Sequence, residues 1–125
     1  LYEPLAEDKG LNFELQLEAK PQVLADPDLL LEVLSNLVDN AIKFTSAGGQ
    51  LQLRLSLRNH HACLELSDSG IGLGNPPPEG TQGYGMGLNL IEAIVHLHQF
   101  EFSLEATAPT GTLARLLAPL ANPLL

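Results

Sequence analysis

The chain has 125 residues, of which 45% are apolar, and a net charge of −9. This length and composition suit one folded domain with a real core and exclude a disordered chain. Only six residues are Lys or Arg, which argues against direct nucleic-acid binding, because a basic surface is needed to neutralise the phosphates.

Hydrophobic periodicity predicts helices and strands through most of the chain. Strict alternation of polar and apolar residues indicates half-buried strands, whereas apolar residues at spacings of three and four indicate amphipathic helices. Asp26-Pro27 supplies an N-cap and a first-turn proline for the long central helix, which Gly48-Gly49 ends. The predicted elements are helices over 1–8, 26–45 and 88–99, and strands over 12–18, 22–25, 50–58, 62–67, 100–107 and 112–118.

Two segments between these elements read as turns or loops. Asn59-His60-His61 lies between two alternating runs and is typical of a hairpin tip. Residues 70–87 contain seven glycines and three consecutive prolines, so little regular structure is expected there. The elements together predict a β-sheet with helices on one face and a long glycine-rich loop at one end.

Three short motifs follow one another along the chain. They are Asn36-Leu-Val-Asp-Asn40-Ala-Ile-Lys43, Asp68-Ser-Gly70-Ile-Gly72 and Gly83-Tyr-Gly85-Met-Gly87-Leu88. Each is a weak signal alone. In this order they resemble the N box, G1 box and G2 box of the ATP-binding domain that sensor histidine kinases share with gyrase, mismatch-repair ATPases and heat-shock chaperones. The resemblance spans residues 26–117.

The resemblance implies an α+β fold of the Bergerat type. That fold is a two-layer α/β sandwich with a mixed, mostly antiparallel sheet of about five strands and about three helices on one face. Residues 1–125 are expected to form a single ATP-binding catalytic domain. Because the chain opens at Leu1 and its only methionine is Met86, we expect it to be a fragment of a longer protein.

The first motif places amide and ammonium groups on one helix face. Asn36, Asn40 and Lys43 are spaced i, i+4 and i+7. A carboxamide oxygen is a hard ligand that suits Mg²⁺. The resemblance gives Asn40 the Mg²⁺ role, with Asn36 assisting, and places Lys43 near the ATP phosphates. Taken alone, the same pattern describes a solvated helix face, although asparagine is a poor helix former.

The second motif begins with a carboxylate at a strand end. Such a group can accept a hydrogen bond from an exocyclic amine, and the following glycines allow the backbone to approach a flat base. The resemblance implies that Asp68 reads the adenine amino group, with Gly70 and Gly72 in the turn and Thr112 supporting the base through water. Taken alone, Asp-Ser-Gly is more simply a β-turn.

The third motif runs directly into a helix, where backbone N–H groups favour phosphate oxygens. The resemblance makes Gly83, Gly85, Gly87 and Leu88 ATP contacts. Neither a dinucleotide fingerprint nor a P-loop lysine pattern is present. Residues 73–82 correspond to the ATP lid and depart from the family pattern. They lack the F box with its paired phenylalanines, and they contain no Arg or Lys.

The partners expected from the resemblance lie outside this chain. None of the four histidines is followed by the acidic residue typical of a phosphorylated histidine, so we expect them to be structural or solvated. The acceptor histidine would belong to an upstream dimerisation domain of the same protein, with a response regulator as an indirect partner. A monomer is expected for the fragment. The lone Cys63 and the lack of a spanning apolar run fit a cytoplasmic domain, although the parent protein could be membrane-anchored.

The leading hypothesis is therefore a catalytic domain that binds Mg·ATP and transfers its γ-phosphoryl group to a histidine. An ATP hydrolase of the gyrase or chaperone type is the second hypothesis. In those relatives a glutamate acts as general base where this chain has Asn36, which cannot abstract a proton. The remaining alternatives are a degenerate nucleotide-binding or protein-interaction module, suggested by the short lid, and a serine kinase of the anti-sigma type.

Overall fold

A five-stranded mixed sheet carries two helices on one face in the computed structural model, which describes residues 9–70, 86–107 and 110–121. Neither described helix has the length and hydropathy needed to cross a membrane. The strands are β1 Asn12–Leu17, β2 Gln50–Arg58, β3 His61–Asp68, β4 Glu101–Ala106 and β5 Thr112–Pro119, and the helices are α1 Pro27–Lys43 and α2 Met86–His98.

The strand order is β1-β2-β3-β5-β4, and β1–β2 is the one parallel pair among the described strands. A parallel pair needs a long crossover, which α1 supplies. The β2–β3 hairpin closes through Asn59 and His60, whose φ angles are 51° and 64°. Two successive positive φ angles are typical of the tight turn that matches strand twist. The predicted hairpin is confirmed, with His61 already in β3.

Helix α1 has polar caps at both ends. The Asp26 side chain accepts hydrogen bonds from the backbone N–H of Asp28 at 2.9 Å and of Leu29 at 3.2 Å, which confirms the predicted N-cap. At the other end, the Lys9 ammonium donates to the carbonyls of Ile42 at 2.6 Å and Lys43 at 3.0 Å. A cation at this end also complements the helix dipole.

Helix α2 ends in a Schellman motif. Gln99 adopts a left-handed φ of 58°, and the N–H of Phe100 donates to the Val95 carbonyl at 3.0 Å. Next to it, His98 Nε2 accepts from the Asp26 N–H at 3.1 Å, so Nδ1 carries the proton that it shares with the Ile94 carbonyl at 2.8 Å. His98 therefore has the structural role expected of it, because it links α2 to the start of α1.

One hydrophobic core lies between the sheet and the two helices. Val33 of α1, Leu51 of β2 and Ile91 of α2 are almost completely buried there. Ion pairs link neighbouring strands through the side chains that point away from this core. Arg115 of β5 contacts Glu65 at 2.9 Å. Burial of one face and charge on the other is the outcome that the alternating sequence predicts.

One predicted strand and two predicted helix boundaries need correction. Residues 22–25 do not form a strand, since Val23 makes only an isolated bridge with Leu120. Helix α1 ends at Lys43 instead of Thr45, because Phe44 takes the C-cap conformation. Helix α2 begins at Met86, two residues earlier than predicted, and so includes part of the third motif. The predicted helix over 1–8 lies outside the described residues.

Gln99→Gly is expected to stabilise the chain by about 0.5–1 kcal/mol, because a left-handed φ is costly for a residue with a Cβ. Ala93→Gly is the matched control, since Ala93 is an exposed residue inside α2 and should lose about 1 kcal/mol. Urea unfolding monitored by circular dichroism measures both. Equal destabilisation by the two substitutions would contradict the assigned role of Gln99.

Candidate functional site

Several predicted site residues meet at one end of the sheet. Asp68 ends β3, and its register partners are Leu51 on β2 and Thr112 at the start of β5. The turn after β3 is tied to β2 because the Ser69 N–H donates to the Gln50 carbonyl at 3.1 Å and Ser69 Oγ accepts from the Gln50 N–H at 2.8 Å. These bonds hold the turn that follows Asp68 in one conformation.

The Asp68 carboxylate is held by backbone groups. Its Oδ1 accepts from the Gly70 N–H at 2.9 Å, and the Thr112 N–H also donates to the carboxylate. Burial raises the pKa of Asp68 above its ordinary value, and these two N–H groups act in the opposite direction. A half-buried carboxylate with a perturbed pKa and a fixed orientation is typical of functional sites.

Two glycines allow this close packing. A Cβ on Gly70 would lie 2.4 Å from the Phe44 carbonyl oxygen, so only glycine lets the turn rest against the end of α1. Gly111 has a φ of 143°, and a Cβ there would lie 2.2 Å from the Asp68 carbonyl oxygen. Both positions therefore need glycine for close approach, which brings α1, β3 and β5 together around Asp68.

The polar face of α1 leads into the same region. The Phe44 N–H donates to the Asn40 carbonyl at 3.0 Å, so Asn40 lies one helical turn before the contact with Gly70. Asn36 Nδ2 donates to the Glu32 carbonyl at 2.8 Å and approaches the Glu32 carboxylate at 3.4 Å. The Asn36 carboxamide oxygen has no hydrogen-bond donor among the described residues.

Lys43 makes an ion pair that the predicted phosphate role did not include. Its Nζ lies 3.0 Å from Asp39 Oδ2, and both side chains are more than 40% exposed. An exposed pair at i, i+4 contributes at most about 1 kcal/mol, so the ammonium can leave Asp39 for a stronger anion. The Asp–Lys spacing in the sequence was the signal that could have revealed Asp39.

Thr45 is a buried polar residue that the sequence did not indicate. It is completely buried at the end of α1, and its Oγ1 has no hydrogen-bond partner within the described part of the chain. The contact of Lys9 with the end of α1 was also not predicted. The Lys9 contact joins residues 33 positions apart in the sequence. Local periodicity carries no information about such a pair, or about the burial of a single threonine such as Thr45.

The glycine motifs lie partly outside the described residues. Gly72, Gly83 and Gly85 lie there, as do the lid residues 73–82. Gly87 and Leu88 belong to the first turn of α2. A helix begins where the third motif predicts a phosphate contact.

A family model described as "Histidine kinase-, DNA gyrase B-, and HSP90-like ATPase" matches residues 25–122. This match covers most of the chain and includes the Asp68 region and the polar face of α1. The chain belongs to this family of ATPases. As a family member it is an ATP-binding catalytic domain, and its relatives show which branch it resembles.

The similar proteins are sensor kinases. Adaptive-response sensory kinase SasA of Synechococcus sp. (strain JA-2-3B'a(2-13)) is 32% identical over 124 residues, which cover 87% of this chain and 33% of SasA. Sensor protein kinase PmrB of Pseudomonas aeruginosa is 33% identical over 70% of this chain and 21% of its own length. This ATPase domain therefore spans about a third or less of these relatives, and it is of the type found in two-component histidine kinases.

Solved structures agree with the fold. Mycobacterial sensor histidine kinase MprB superposes with a TM-score of 0.80 at 24% identity, covering 94% of this chain and 90% of that one. Full-length ShkA in complex with AMPPNP superposes with a TM-score of 0.79 at 25% identity, covering 98% of this chain and 29% of that one. The predicted α+β sandwich is confirmed, with five strands and two described helices.

Asp68→Asn is expected to leave stability at pH 7 unchanged or raised, although Asp68 is partly buried. Its raised pKa means that the folded state binds a proton more readily than the unfolded state does. The charge therefore lowers stability at neutral pH, and this cost disappears as the pH falls to the ordinary carboxyl range. Asn keeps an oxygen that can accept from the Gly70 N–H.

The control is Asp39→Asn, which removes an exposed ion pair and should cost at most about 1 kcal/mol. Chemical unfolding at pH 7 and near pH 4 compares the variants. A large loss of stability in Asp68→Asn at pH 7 would show that the charge itself stabilises the fold.

Proposed function

We propose that this chain binds Mg·ATP and transfers the γ-phosphoryl group to a histidine on a separate, upstream dimerisation domain of the same protein. The observation that carries the proposal is the Asp68 carboxylate, fixed at a strand end by backbone N–H groups beside Thr112. Family membership and the sensor kinases among the relatives support it. The ShkA complex with AMPPNP, a non-hydrolysable ATP analogue, supports the nucleotide.

Asp68 would select the base. An ionised carboxylate only accepts hydrogen bonds, so it favours an amino group at the position where guanine presents a carbonyl. Because two backbone N–H groups already orient the carboxylate, little side-chain entropy is lost when the base binds. Thr112 begins β5 directly opposite Asp68, where its hydroxyl can support the base through water.

Asn40 and Asn36 would hold Mg²⁺ between the protein and the phosphates. The available carboxamide oxygen of Asn36 and the position of Asn40 one turn later fit the oxygen-ligand preference of this ion. Bound Mg²⁺ would offset the charge of the phosphate oxygens. An ion that shares its ligands with substrate phosphates needs few protein ligands, and two asparagines on one helix face meet that need.

Lys43 would move from Asp39 to the phosphates. The exposed pair with Asp39 keeps the ammonium beside the asparagines and costs little to break. Phosphoryl transfer depends mainly on positioning and on charge stabilisation, so a mobile point charge at this place suits the reaction. The nucleophile would be the histidine of the dimerisation domain.

Hydrolysis by an activated water is disfavoured at this site. The hydrolase relatives need a general base one turn before the metal asparagine, and Asn36 has no titratable oxygen there. The Glu32 carboxylate, one further turn away, is engaged by the Asn36 amide at 3.4 Å. Transfer to a protein side chain, in which the acceptor supplies its own nucleophile, fits this residue set better.

The setting of the domain completes the proposal. We propose a cytoplasmic domain that is monomeric by itself, in a parent protein whose dimerisation domain presents the acceptor histidine. A response regulator would receive the phosphoryl group from that histidine. The relatives, in which the matched segment is a third or less of the whole, support a parent with further domains.

Asn40→Asp is expected to weaken Mg²⁺-dependent ATP binding by at least about tenfold, because it places a negative charge against the phosphates. Asn59→Asp adds the same charge at the hairpin tip, at the opposite end of β2 from the site, and should bind ATP like the wild type. Calorimetric titration with ATP, with and without Mg²⁺, measures both. An equal effect of the two substitutions, or wild-type affinity independent of Mg²⁺, would refute the metal role.

A further inference from the structure

The ammonium of Lys9 holds the end of α1 that carries the proposed phosphate-binding residues. Its Nζ donates to the Ile42 carbonyl at 2.6 Å and to the Lys43 carbonyl at 3.0 Å, across 33 and 34 positions of the sequence. The last four carbonyls of a helix have no N–H partner within the helix, and this one cation satisfies two of them. Asn40 and Lys43 lie in the same turn, and their proposed roles do not use Lys9.

Backbone hydrogen bonds fix the segment that carries Lys9. The Gly10 carbonyl accepts from the Gly48 N–H at 2.9 Å, and the Asn12 N–H donates to the Gly49 carbonyl at 3.0 Å. Gly10 has a φ of 78°, a left-handed value that glycine adopts without strain. Because these bonds tie the residues after Lys9 to the loop after α1, the Lys9 side chain starts from a backbone already held beside the helix end.

The field at this end of α1 disfavours phosphate unless a cation offsets it. The C-terminus of a helix carries a partial negative charge of about half an elementary charge, and its field acts mainly within the last turn. The phosphates of Mg·ATP at Asn40 and Lys43 would therefore meet a negative helix end, in a chain whose net charge is −9. The full positive charge of Lys9, placed on two of the terminal carbonyls, outweighs that partial charge.

The other lysines and arginines of the described residues do not replace Lys9 at this helix end. Lys43 belongs to the same turn, but Asp39 lies 3.0 Å from its ammonium and partly neutralises it. The remaining basic residues lie on the strands or beyond β1, namely Lys20, Arg54, Arg58 and Arg115. The terminal carbonyls of α1 therefore depend on Lys9 for a compensating charge.

We infer that Lys9 is a positioning residue for the phosphate end of the proposed site. Its ammonium fixes the last turn of α1, so that Asn40 and Lys43 keep their places, and it offsets the negative helix end that the phosphates would meet. Lys9 acts through α1 and does not touch the nucleotide. The inference rests on the proposed function, because it assigns a further residue to the binding of Mg·ATP by this helix.

The test compares Lys9→Met, which keeps an unbranched stem and removes the ammonium, with Lys9→Arg, which keeps a cation. Lys20→Met is the matched control, because Lys20 is an exposed lysine beyond the far end of β1 and has no hydrogen bond or ion pair among the described residues. Calorimetric titration with ATP and Mg²⁺ should show an affinity about three- to tenfold weaker in Lys9→Met. Lys9→Arg and Lys20→Met should bind ATP like the wild type.

Adenosine separates this role from a purely structural one. It carries the base but no phosphate, so its affinity, measured by NMR shift titration, should be the same in Lys9→Met and in the wild type. Equal losses of ATP and adenosine binding would show that Lys9 only stabilises the fold and would overturn the inference. Wild-type ATP affinity in Lys9→Met, or equal losses in Lys9→Met and Lys9→Arg, would also overturn it.

Amide hydrogen exchange is a second measurement, and it needs no nucleotide. The Phe44 N–H donates to the Asn40 carbonyl at 3.0 Å, in the turn that Lys9 holds. In the nucleotide-free chain, exchange at Phe44 should be about three- to tenfold faster in Lys9→Met and unchanged in Lys20→Met. Unchanged exchange in Lys9→Met would contradict the inference. If the wild type fails to bind ATP, the proposed function fails, whereas the exchange rate still decides whether Lys9 holds the turn.

Discussion

The close contact between the turn at Asp68–Gly70 and the end of α1 is the constraint on which the site depends. Gly70 lies against the Phe44 carbonyl and the Thr45 hydroxyl, and Gly111 approaches the Asp68 backbone from β5. A side chain at either glycine would separate the elements that meet there. The contact therefore fixes three things together: the orientation of Asp68, the position of Thr112 and the distance from Asp68 to the polar face of α1.

The ionised form of Asp68, which its proposed function needs, is the form that burial disfavours. Burial disfavours its charged form, yet that form is the one that can only accept hydrogen bonds and so read an amino group. The two backbone N–H groups partly offset the cost without adding a neighbouring charge that would compete for the ligand. Lys43 on α1 differs from Asp68, because its side chain is exposed and not held in place. Its ion pair with Asp39 is weak and leaves the ammonium free to move.

The sequence predicted most elements because they have clear local patterns. Alternation indicated β2 and β5, and Asp26-Pro27 indicated the start of α1. The pairing order could not be derived in this way, because period-two alternation does not say that β5 inserts between β3 and β4. Gln99 shows the same limit at a helix end, where a residue with a Cβ occupies the left-handed position usually taken by glycine.

The site residues also divide into those that local motifs indicated and those that only tertiary contacts reveal. The resemblance indicated Asp68 and Thr112, and the fold places them opposite each other on neighbouring strands. Asn36 and Asn40 both lie in α1, where their spacing of four residues places them on one face. Thr45 and Lys9 could not be found from sequence, because their contacts join the end of α1 to distant segments. The parts of the site that depend on tertiary packing were therefore the parts that needed the structure.

Selective binding of the adenine base is the central claim, and titration of the wild-type chain with ATP and with GTP in the presence of Mg²⁺ tests it most directly. Because an ionised carboxylate facing the guanine carbonyl leaves two acceptors unpaired, ATP should bind at least about tenfold more tightly than GTP. Equal affinity for the two nucleotides, or no ATP binding at millimolar concentration, would contradict the assignment of Asp68 as the base-reading residue.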